Sequence, residues 1–317
     1  LHKEYRRQRQ MCIRDRNRIT TWTPKNKDYI KSPLNYIGGK YKLLNQIIPL
    51  FPNKITTFVD LFSGGANVGI NVKADRHIFI DMNTKINEMF RYFASEDPEK
   101  LLLKIKERID EFSLSKTNEA GYIKFRNQYN YNPNPLDLYV LISFSYNYQI
   151  RFNNNMKYNN PFGKNRSHFS DNMKKNLLNF TNRLRSLDYE FIDDYFQNID
   201  LSSLDSSSLV YLDPPYLITT GSYNDGNRGF QNWGIKQEQE MYRLLKCLTQ
   251  LGIRYALSNV LCHKNSEHIL LKKFIEENNV NVHHLNYSYH NSSYNTSRFT
   301  SDEVLITNYD AETYMLL

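Results

Sequence analysis

Residues 209–216 of this 317-residue chain read LVYLDPPY, an apolar stretch that runs directly into an acid, two prolines and a tyrosine. Residues 209–212 are apolar or aromatic, which favours a buried β-strand. Pro214 and Pro215 cannot donate to a sheet ladder and each fixes its own φ, so the strand is predicted to end in a stiff, extended corner. Open α/β sheets bind ligands at the carboxyl ends of their strands, which makes this corner a candidate site.

The side chains of the corner indicate what it could bind. Asp213 offers a carboxylate that only accepts hydrogen bonds, Pro214 a carbonyl oxygen, and Tyr216 a flat ring. Two acceptors beside a stacking surface suit a planar group that carries an amino substituent, and an adenine extruded from a duplex is such a group. The alternative is an ordinary proline-rich turn after a strand. The aromatic residue directly after the prolines and a glycine-rich turn upstream favour the site.

That glycine-rich turn follows a second predicted strand. Residues 57–62 (TFVDLF) run into 63–67 (SGGAN), and strand, glycine turn and helix together form a nucleotide-binding unit. The glycine spacing does not match G-x-G-x-x-G, which disfavours a nicotinamide oxidoreductase. A third strand, 77–81 (HIFID), ends in Asp81, where a ribose diol would be held; the alternative for Asp81 is a helix N-cap.

A Gly-Gly-Lys sequence precedes these strands. Residues 32–40 read SPLNYIGGK and lead into a stretch with helical apolar spacing up to residue 50. Gly38 and Gly39 allow close approach of a ligand to the backbone, and the Lys40 ammonium would lie near that ligand. The phosphate-binding frame G-x-x-x-x-G-K-[ST] is absent, so the tripeptide alone is more typical of a loop than of a phosphate site.

Composition narrows the class of protein. A formal net charge of +8 favours a polyanionic partner, although a solubilising surface would have the same charge. The three cysteines (Cys12, Cys247, Cys262) lack metal-ligand spacing and predict neither a disulfide framework nor a metal site, as expected in a reducing cytoplasm. No apolar run reaches the roughly 18–20 residues of a membrane span. Residues 1–29 are charged and irregular and are expected to be a disordered or non-native leader, the alternative being a basic DNA-binding arm.

Taken in order, NYIGGK, FVDLFSGGA, FIDMN and DPPY resemble the motifs of the Dam-like, alpha-group adenine-specific DNA methyltransferases. The resemblance implies a Rossmann-like α/β core with a mainly parallel seven-stranded sheet, a C-terminal antiparallel hairpin and an inserted helical domain. It implies methyl transfer from S-adenosylmethionine to the 6-amino group of a flipped adenine in duplex DNA, with no metal. The catalytic residues would be Asp213, Pro214, Pro215 and Tyr216. The cofactor-binding residues would be Tyr36, Gly39, Lys40, Asp60, Phe62, Gly64, Asp81, Asp194, Tyr195 and Asp213.

The organisation predicted from the sequence is a catalytic core in two pieces, 30–84 and 188–317, around a helical target-recognition insert, 85–187. Strands that alternate with helices after residue 188 predict parallel pairing, and the last two strands predict an antiparallel hairpin. Residues 217–234, rich in glycine and asparagine, are predicted to form a mobile loop over the site.

Residues 146–169 of the insert are rich in asparagine, aromatic and basic residues and nearly devoid of acids. Asparagine and arginine read adenine and guanine edges, and lysine contacts phosphates; a polar surface loop is the alternative. The segment also resembles the hairpin that reads GATC in Dam-like enzymes, except that an expected second arginine is Asn155. The predicted DNA-binding residues are Arg151, Asn153, Asn155, Lys157, Asn159, Lys164 and Arg166.

The implied protein is a bacterial or phage-encoded monomer in the cytoplasm that acts on double-stranded DNA, with a restriction endonuclease for the same site as a possible partner. The alternatives are a methyltransferase for another exocyclic amine, on cytosine or RNA, and a catalytically silent DNA-binding module. Methylation of a cytosine ring carbon is excluded, because it needs a cysteine nucleophile after a proline, and no cysteine here follows one.

Overall fold

The strands form where β-favouring residues alternate between the two faces of one sheet. The computed structural model describes residues 29–219, 233–264, 266–286 and 301–311. Within these ranges the strands are β1 (Thr57–Leu61), β2 (Arg76–Ile80), β3 (Tyr189–Ile192), β4 (Leu209–Leu212), β5 (Arg254–His263), β6 (Ser266–Glu267), β7 (Asn281–Leu285) and β8 (Asp302–Thr307). The leader up to residue 28 and residues 220–232 of the predicted loop lie outside the described residues.

The sheet has the order β3-β2-β1-β4-β5-β8-β7, and the two-residue β6 pairs with β5. Strands β3, β2, β1, β4 and β5 are parallel neighbours, whereas β8 is antiparallel to both β5 and β7. The predicted mainly parallel sheet and its antiparallel C-terminal hairpin are therefore confirmed. The strand order reverses direction between β1 and β4, which opens a crevice at their carboxyl ends.

The helices cover both faces of the sheet. They are α1 (Leu44–Ile47), α2 (Thr84–Ser95), α3 (Pro98–Glu111), α4 (Glu119–Tyr131), α5 (Pro135–Phe144), α6 (Asp171–Arg185), α7 (Ile235–Gln250) and α8 (Ile269–Glu277). On one face, α7 and α8 pack on Val59, Val210 and Leu257. On the other, α1 packs around Phe58 and Tyr211, while α2–α6 pack around Phe79 and Phe191. Side chains that alternate along each strand fill the two layers.

The inserted helices begin at local capping side chains. Asp97, Asn118, Asn134 and Ser170 accept backbone N–H groups at the starts of α3, α4, α5 and α6. Helix α5 is buried along its whole length, and α2, α3 and α4 pack against it. The buried side chains of α2–α6 form one apolar cluster with Phe79 and Phe191 of the sheet.

Two segments differ from the helices that periodicity predicts. Residues 40–50 form short turns, with 3₁₀ helices at Lys40–Leu43 and Ile48–Leu50 on either side of α1. The turn after β1 is followed by a three-residue 3₁₀ helix, Gly69–Asn71, instead of an α-helix. The reason is that the Gly69 N–H donates to the Asp60 side chain at 2.9 Å, which bends the chain back toward the sheet.

Candidate active site

Strand β4 lies between β1 and β5 at the middle of the sheet, and the acid that follows it meets a lysine from a distant segment. Lys40 Nζ lies 2.7 Å from Asp213 Oδ1 and 2.8 Å from Oδ2. The lysine side chain is 6 % exposed and the aspartate side chain 18 % exposed, so the carboxylate is sheltered but remains accessible to a ligand. Lys40 Nζ also donates to the Gly38 carbonyl at 2.9 Å. The Gly-Gly-Lys loop is thus tied to the DPPY corner.

Tyr216 folds back over the same ion pair. Its hydroxyl donates to Asp213 Oδ1 at 3.2 Å, and the Lys40 ammonium lies 4.9 Å from the centre of its ring. The lysine therefore lies against the Tyr216 ring as well as against the carboxylate. Burial raises the pKa of Asp213, and the neighbouring Lys40 pulls it down. Lys40 therefore favours the ionised form of Asp213, the form that can only accept hydrogen bonds.

The glycine turn after β1 is held by the acid after β2. Gly64 N donates to Asp81 Oδ2 at 2.8 Å, and Asn83 N donates to Asp81 Oδ1 at 2.7 Å. Helix α2 begins after Asn83, so Asp81 bridges the turn and the helix start rather than capping the helix. Phe62 opens the turn with φ of +78°, a conformation that aromatic residues rarely adopt.

Tyr36 closes the turn from above. Gly64 has φ of +45°, and a Cβ there would lie 2.6 Å from Tyr36 Cε1; a Cβ at Gly65 would lie 3.0 Å from Tyr36 Cβ. Glycine is therefore required both by the backbone and by the tyrosine. Gly39 N donates to the Tyr36 carbonyl at 3.2 Å, so this loop folds onto the turn as a unit.

Asp60 and Asp194, the two other acids among the predicted cofactor-binding residues, differ in how deeply they are buried. Asp60 is 2 % exposed beneath the turn, and burial raises its pKa well above the ordinary value, with Asp213 and Asp81 adding to the rise. Asp194 follows β3 and is half-buried; its Oδ1 accepts from Tyr195 N and Asn198 Nδ2, both at 2.7 Å. The structure thus brings Asp81, Asp194 and Asp213 to the same edge of the sheet.

These features fit the adenosyl methyl donor that the sequence implies. Asp81 follows β2 at the carboxyl edge of the sheet, where a carboxylate holds the ribose hydroxyls of a nucleotide in this kind of fold. Ser63 Oγ is buried in the turn without a hydrogen-bond partner among the described residues. A bound polar ligand would satisfy it. The ring of Phe62 is partly buried and stands beside the turn, where a purine could pack.

The predicted DNA-reading segment folds back on itself. Antiparallel bridges join Ser145 to Phe162 and Phe152 to Tyr158. The buried Tyr158 hydroxyl meets Ser145 Oγ at 2.6 Å and the Gln149 carbonyl at 3.1 Å, which fixes the hairpin to the end of α5. A pocket of about 300 Å³ opens at its tip and is lined by Arg151, Phe152, Asn153, Asn154, Asn155 and Asn159.

The predicted DNA-binding side chains differ in whether they only face solvent or also form hydrogen bonds within the protein. Arg151, Asn155, Lys164 and Arg166 are exposed. Asn153 Oδ1 accepts from the backbone N–H groups of residues 155 and 157, and Lys157 Nζ donates to the Asn130 carbonyl at 2.6 Å. Asn153 and Lys157 therefore also shape the hairpin, whereas Arg151 and Lys164 extend into solvent.

A further acid, which the sequence did not indicate, lies near the Lys40–Asp213 ion pair. Glu303 lies at the start of β8, opposite Val260 of β5 and Leu285 of β7. Burial raises its pKa; Lys40 lowers it and Asp213 raises it, so its charge acts on both members of the pair. Only the antiparallel pairing of β8 brings this residue to the carboxyl edge of the parallel strands, and no local motif signals it.

The chain resembles known DNA methylases over most of its length. Residues 36–293 match the family described as D12 class N6 adenine-specific DNA methyltransferase. The chain is 62 % identical to the modification methylase StsI of Streptococcus sanguinis over 92 % of its length and 52 % identical to the type II methyltransferase M.FokI of Planomicrobium okeanokoites over 94 %. It is 24 % identical to the DNA adenine methylase of Escherichia coli K12 over 74 % of its own length, and the match covers 81 % of that protein. It spans 45 % and 46 % of StsI and M.FokI, less than half of either.

No helix in the described ranges is long and apolar enough to cross a membrane.

Proposed function

The chain belongs to the D12 class N6 adenine-specific DNA methyltransferase family, and on that premise we propose that it methylates the 6-amino nitrogen of adenine in a short duplex DNA site. The observation that carries the proposal is the sheltered, lysine-paired carboxylate of Asp213 at the carboxyl end of β4, next to the glycine turn and Asp81. The topology of the sheet is that of S-adenosylmethionine-dependent methyltransferases, which supports the same reading.

The amino nitrogen of adenine is a poor nucleophile because its lone pair is delocalised into the ring. The Asp213 carboxylate and the Pro214 carbonyl would accept its two N–H groups, which favours a pyramidal nitrogen and offsets the positive charge that develops there. Hydrogen bonds to charged groups contribute about 1.5–3 kcal/mol each. Tyr216, the aromatic residue of the same corner, would stack on the extruded base, which is worth roughly 1–3 kcal/mol.

S-adenosylmethionine, when bound, supplies an electrophilic methyl group on a sulfonium sulfur. Asp81 would hold its ribose hydroxyls, and Phe62, Asp194 and Tyr195 would surround its adenine. Gly39 and Gly64 would contact the donor through their backbone, and Tyr36, whose ring packs on Gly64, would close the turn beside it. Two further residues would support the cofactor site without surrounding the adenine. Lys40 would orient Asp213, and Asp60 would fix the glycine turn by accepting the Gly69 N–H.

Target recognition would belong to the hairpin of the insert. Arg151, Asn155 and Asn159 line its pocket and are suited to base edges, while Lys164 and Arg166 are exposed at its base and are suited to phosphates. We expect the insert to act as the target-recognition domain and the rest of the chain as the catalytic core. The two methylases StsI and M.FokI are modification enzymes by name, which supports a cognate restriction endonuclease as partner.

The test is nucleoside analysis of DNA from a methylation-deficient host that expresses the chain. The proposal predicts N6-methyladenine at one short sequence, which single-molecule sequencing would locate. N4-methylcytosine in place of N6-methyladenine would favour the alternative exocyclic amine, and no modified base would contradict methyl transfer by this chain. Digestion with methylation-sensitive and methylation-insensitive enzymes for GATC decides separately whether that sequence is the target.

A further inference from the structure

A buried glutamate on α7 accepts hydrogen bonds from three parts of the chain and has a histidine ring beside it. Glu238 is 0 % exposed. Its Oε2 accepts from Trp233 Nε1 at 2.6 Å, and its Oε1 accepts from the Tyr242 hydroxyl at 2.7 Å and Asn259 Nδ2 at 3.4 Å. His268 Nε2 lies 3.1 Å from the same Oε1.

The donors to Glu238 are neutral groups. His268 Nδ1 accepts the N–H of Leu271 at the start of α8, so the imidazole carries its proton on Nε2, which faces the glutamate. A carboxylate taken out of water is costly unless donors replace its hydration. The core here could have used apolar residues instead. The network therefore holds something whose position matters, and the ring that donates a hydrogen bond to Glu238 from the loop before α7 is that of Trp233.

Trp233 packs against two rings at the ends of the parallel strands. Its ring centre lies 5.5 Å from that of Phe62 after β1 and 5.6 Å from that of Phe196 after β3; Phe62 and Phe196 are 5.3 Å apart. Phe196 is buried, whereas Phe62 and Trp233 remain partly exposed. The three rings thus form an apolar cluster in which Trp233 meets Phe62 edge-on, at 81°, and is tilted by 49° to Phe196. Phe62 follows β1 and Phe196 follows β3, the two strands that flank β2 and its Asp81.

We propose that Trp233 is the outer wall of the purine subsite of the methyl donor and that Glu238 is the positioning residue that holds it there. The inference rests on the proposed function, since it names where the adenine of that donor lies. A ribose held by Asp81 at the end of β2 directs its base toward the ends of β1 and β3, where Phe62 and Phe196 stand. Purines pack well on aromatic rings, and the Trp233 ring is available on its exposed side.

The proposal can be tested by Glu238→Gln, which replaces one carboxylate oxygen by an amide nitrogen. In Glu238→Gln, the amide oxygen can keep the Tyr242 and Asn259 donors at the Oε1 position. The amide nitrogen then occupies the Oε2 position, where the Trp233 N–H already points at it from 2.6 Å. Two donors face each other, so Trp233 is the partner that is released. Turning the amide over would instead place its nitrogen against the Asn259 Nδ2 donor, 3.1 Å from His268 Nε2.

The experiment uses tryptophan fluorescence in a Trp22→Phe background, since Trp22 and Trp233 are the two tryptophans of the sequence. The probe is S-adenosylhomocysteine, with calorimetry as an independent measure of its Kd. We expect saturable change in Trp233 emission on binding. Glu238→Gln should shift the emission of the ligand-free protein to the red and weaken binding about tenfold. In kinetics it should raise KM for S-adenosylmethionine while leaving kcat and KM for DNA nearly unchanged. The matched control is Glu276→Gln, the same change on the exposed side of α8.

Several outcomes would overturn the proposal. Unchanged Trp233 emission while calorimetry detects binding would place the purine elsewhere and leave the proposed function intact. A red-shifted emission in Glu238→Gln with an unchanged Kd would remove the positioning role. If that variant does not fold, Trp233→Leu in the full chain takes its place, and an unchanged Kd there refutes the subsite. Absence of any binding to the parent protein would instead be a failure of the proposed function itself.

Discussion

The ammonium of Lys40 and the carboxylate of Asp213 form an ion pair at 2.7 Å across 173 residues of sequence. The pair joins the loop that closes the glycine turn to the corner that would hold the target base. A ligand at either site therefore contacts a residue that is coupled to the other. Because the lysine is almost fully buried and the aspartate is sheltered, their attraction is weakened little by salt.

Replacing Lys40 by glutamine is expected to move the acid limb of the pH–rate profile upward. In the proposed mechanism Asp213 acts as a carboxylate, so activity should fall as the pH drops through the pKa of Asp213. Burial raises that pKa and Lys40 lowers it, so the variant should lose activity at a higher pH than the parent. The measurement is kcat/KM for methyl transfer against pH. Lys42→Gln, an exposed change in the same turn, is the control; coinciding acid limbs for parent and Lys40→Gln would refute this role.

Gly64→Ala should weaken binding of the methyl donor and destabilise the fold. The left-handed φ costs roughly 1–2 kcal/mol for alanine, and the added Cβ would press on the Tyr36 ring. Calorimetric binding and the Tm would report the two effects. Gly252→Ala is the matched control, because its φ is +69° and nothing lies within 4 Å of its Cβ position. Equal donor binding by both variants would separate the glycine turn from the cofactor site.

Arg151→Ala should relax target selection. The arginine is exposed and lines the pocket at the hairpin tip, and loss of one bidentate base contact costs about 1–3 kcal/mol of discrimination. The measurement is the ratio of kcat/KM on the target duplex to that on duplexes with single base changes. A ratio equal to that of the parent at every position would show that the hairpin does not read sequence through this residue.

Lys164→Gln should weaken DNA binding without changing its selectivity. A lysine on a phosphate releases about one counterion, so the slope of log K against log salt should become shallower by about 0.9 for target and non-target duplexes alike. Lys54→Gln is the control, because Lys54 is also exposed but lies just before the amino end of β1, away from the hairpin. An unchanged slope for Lys164→Gln would mean that this side chain does not contact the backbone of DNA.

The strands and the residues after them could be predicted because their signals are local. Apolar alternation located β1, β2 and β4, and the prolines after Asp213 fixed where β4 ends. Helix α4 was missed, because its buried side chains are Tyr122, Phe125 and Tyr129 among asparagine, lysine and glutamine. An aromatic stripe without leucine or isoleucine gives a weak helical periodicity.

The contacts that organise the site could not be predicted, because each depends on tertiary pairing. Periodicity placed Lys40 at the start of a helix but could not show that its ammonium reaches Asp213. The same holds for Glu303, which depends on the direction of β8, and for Glu238, whose donors come from separate elements. The helix predicted after the glycine turn failed for a similar reason, since Asp60 captures the Gly69 N–H.

The most direct test of the central claim is single-turnover methyl transfer by Asp213→Ala, with DNA binding measured in parallel. Loss of the carboxylate that accepts the amine should lower the rate at least about a hundredfold, as expected for a charged hydrogen bond of about 3 kcal/mol, while the Kd for DNA stays within a few-fold of the parent. Asp200→Ala, an exposed loop change, should match the parent in both. Methyl transfer by Asp213→Ala at near the parent rate would contradict the account.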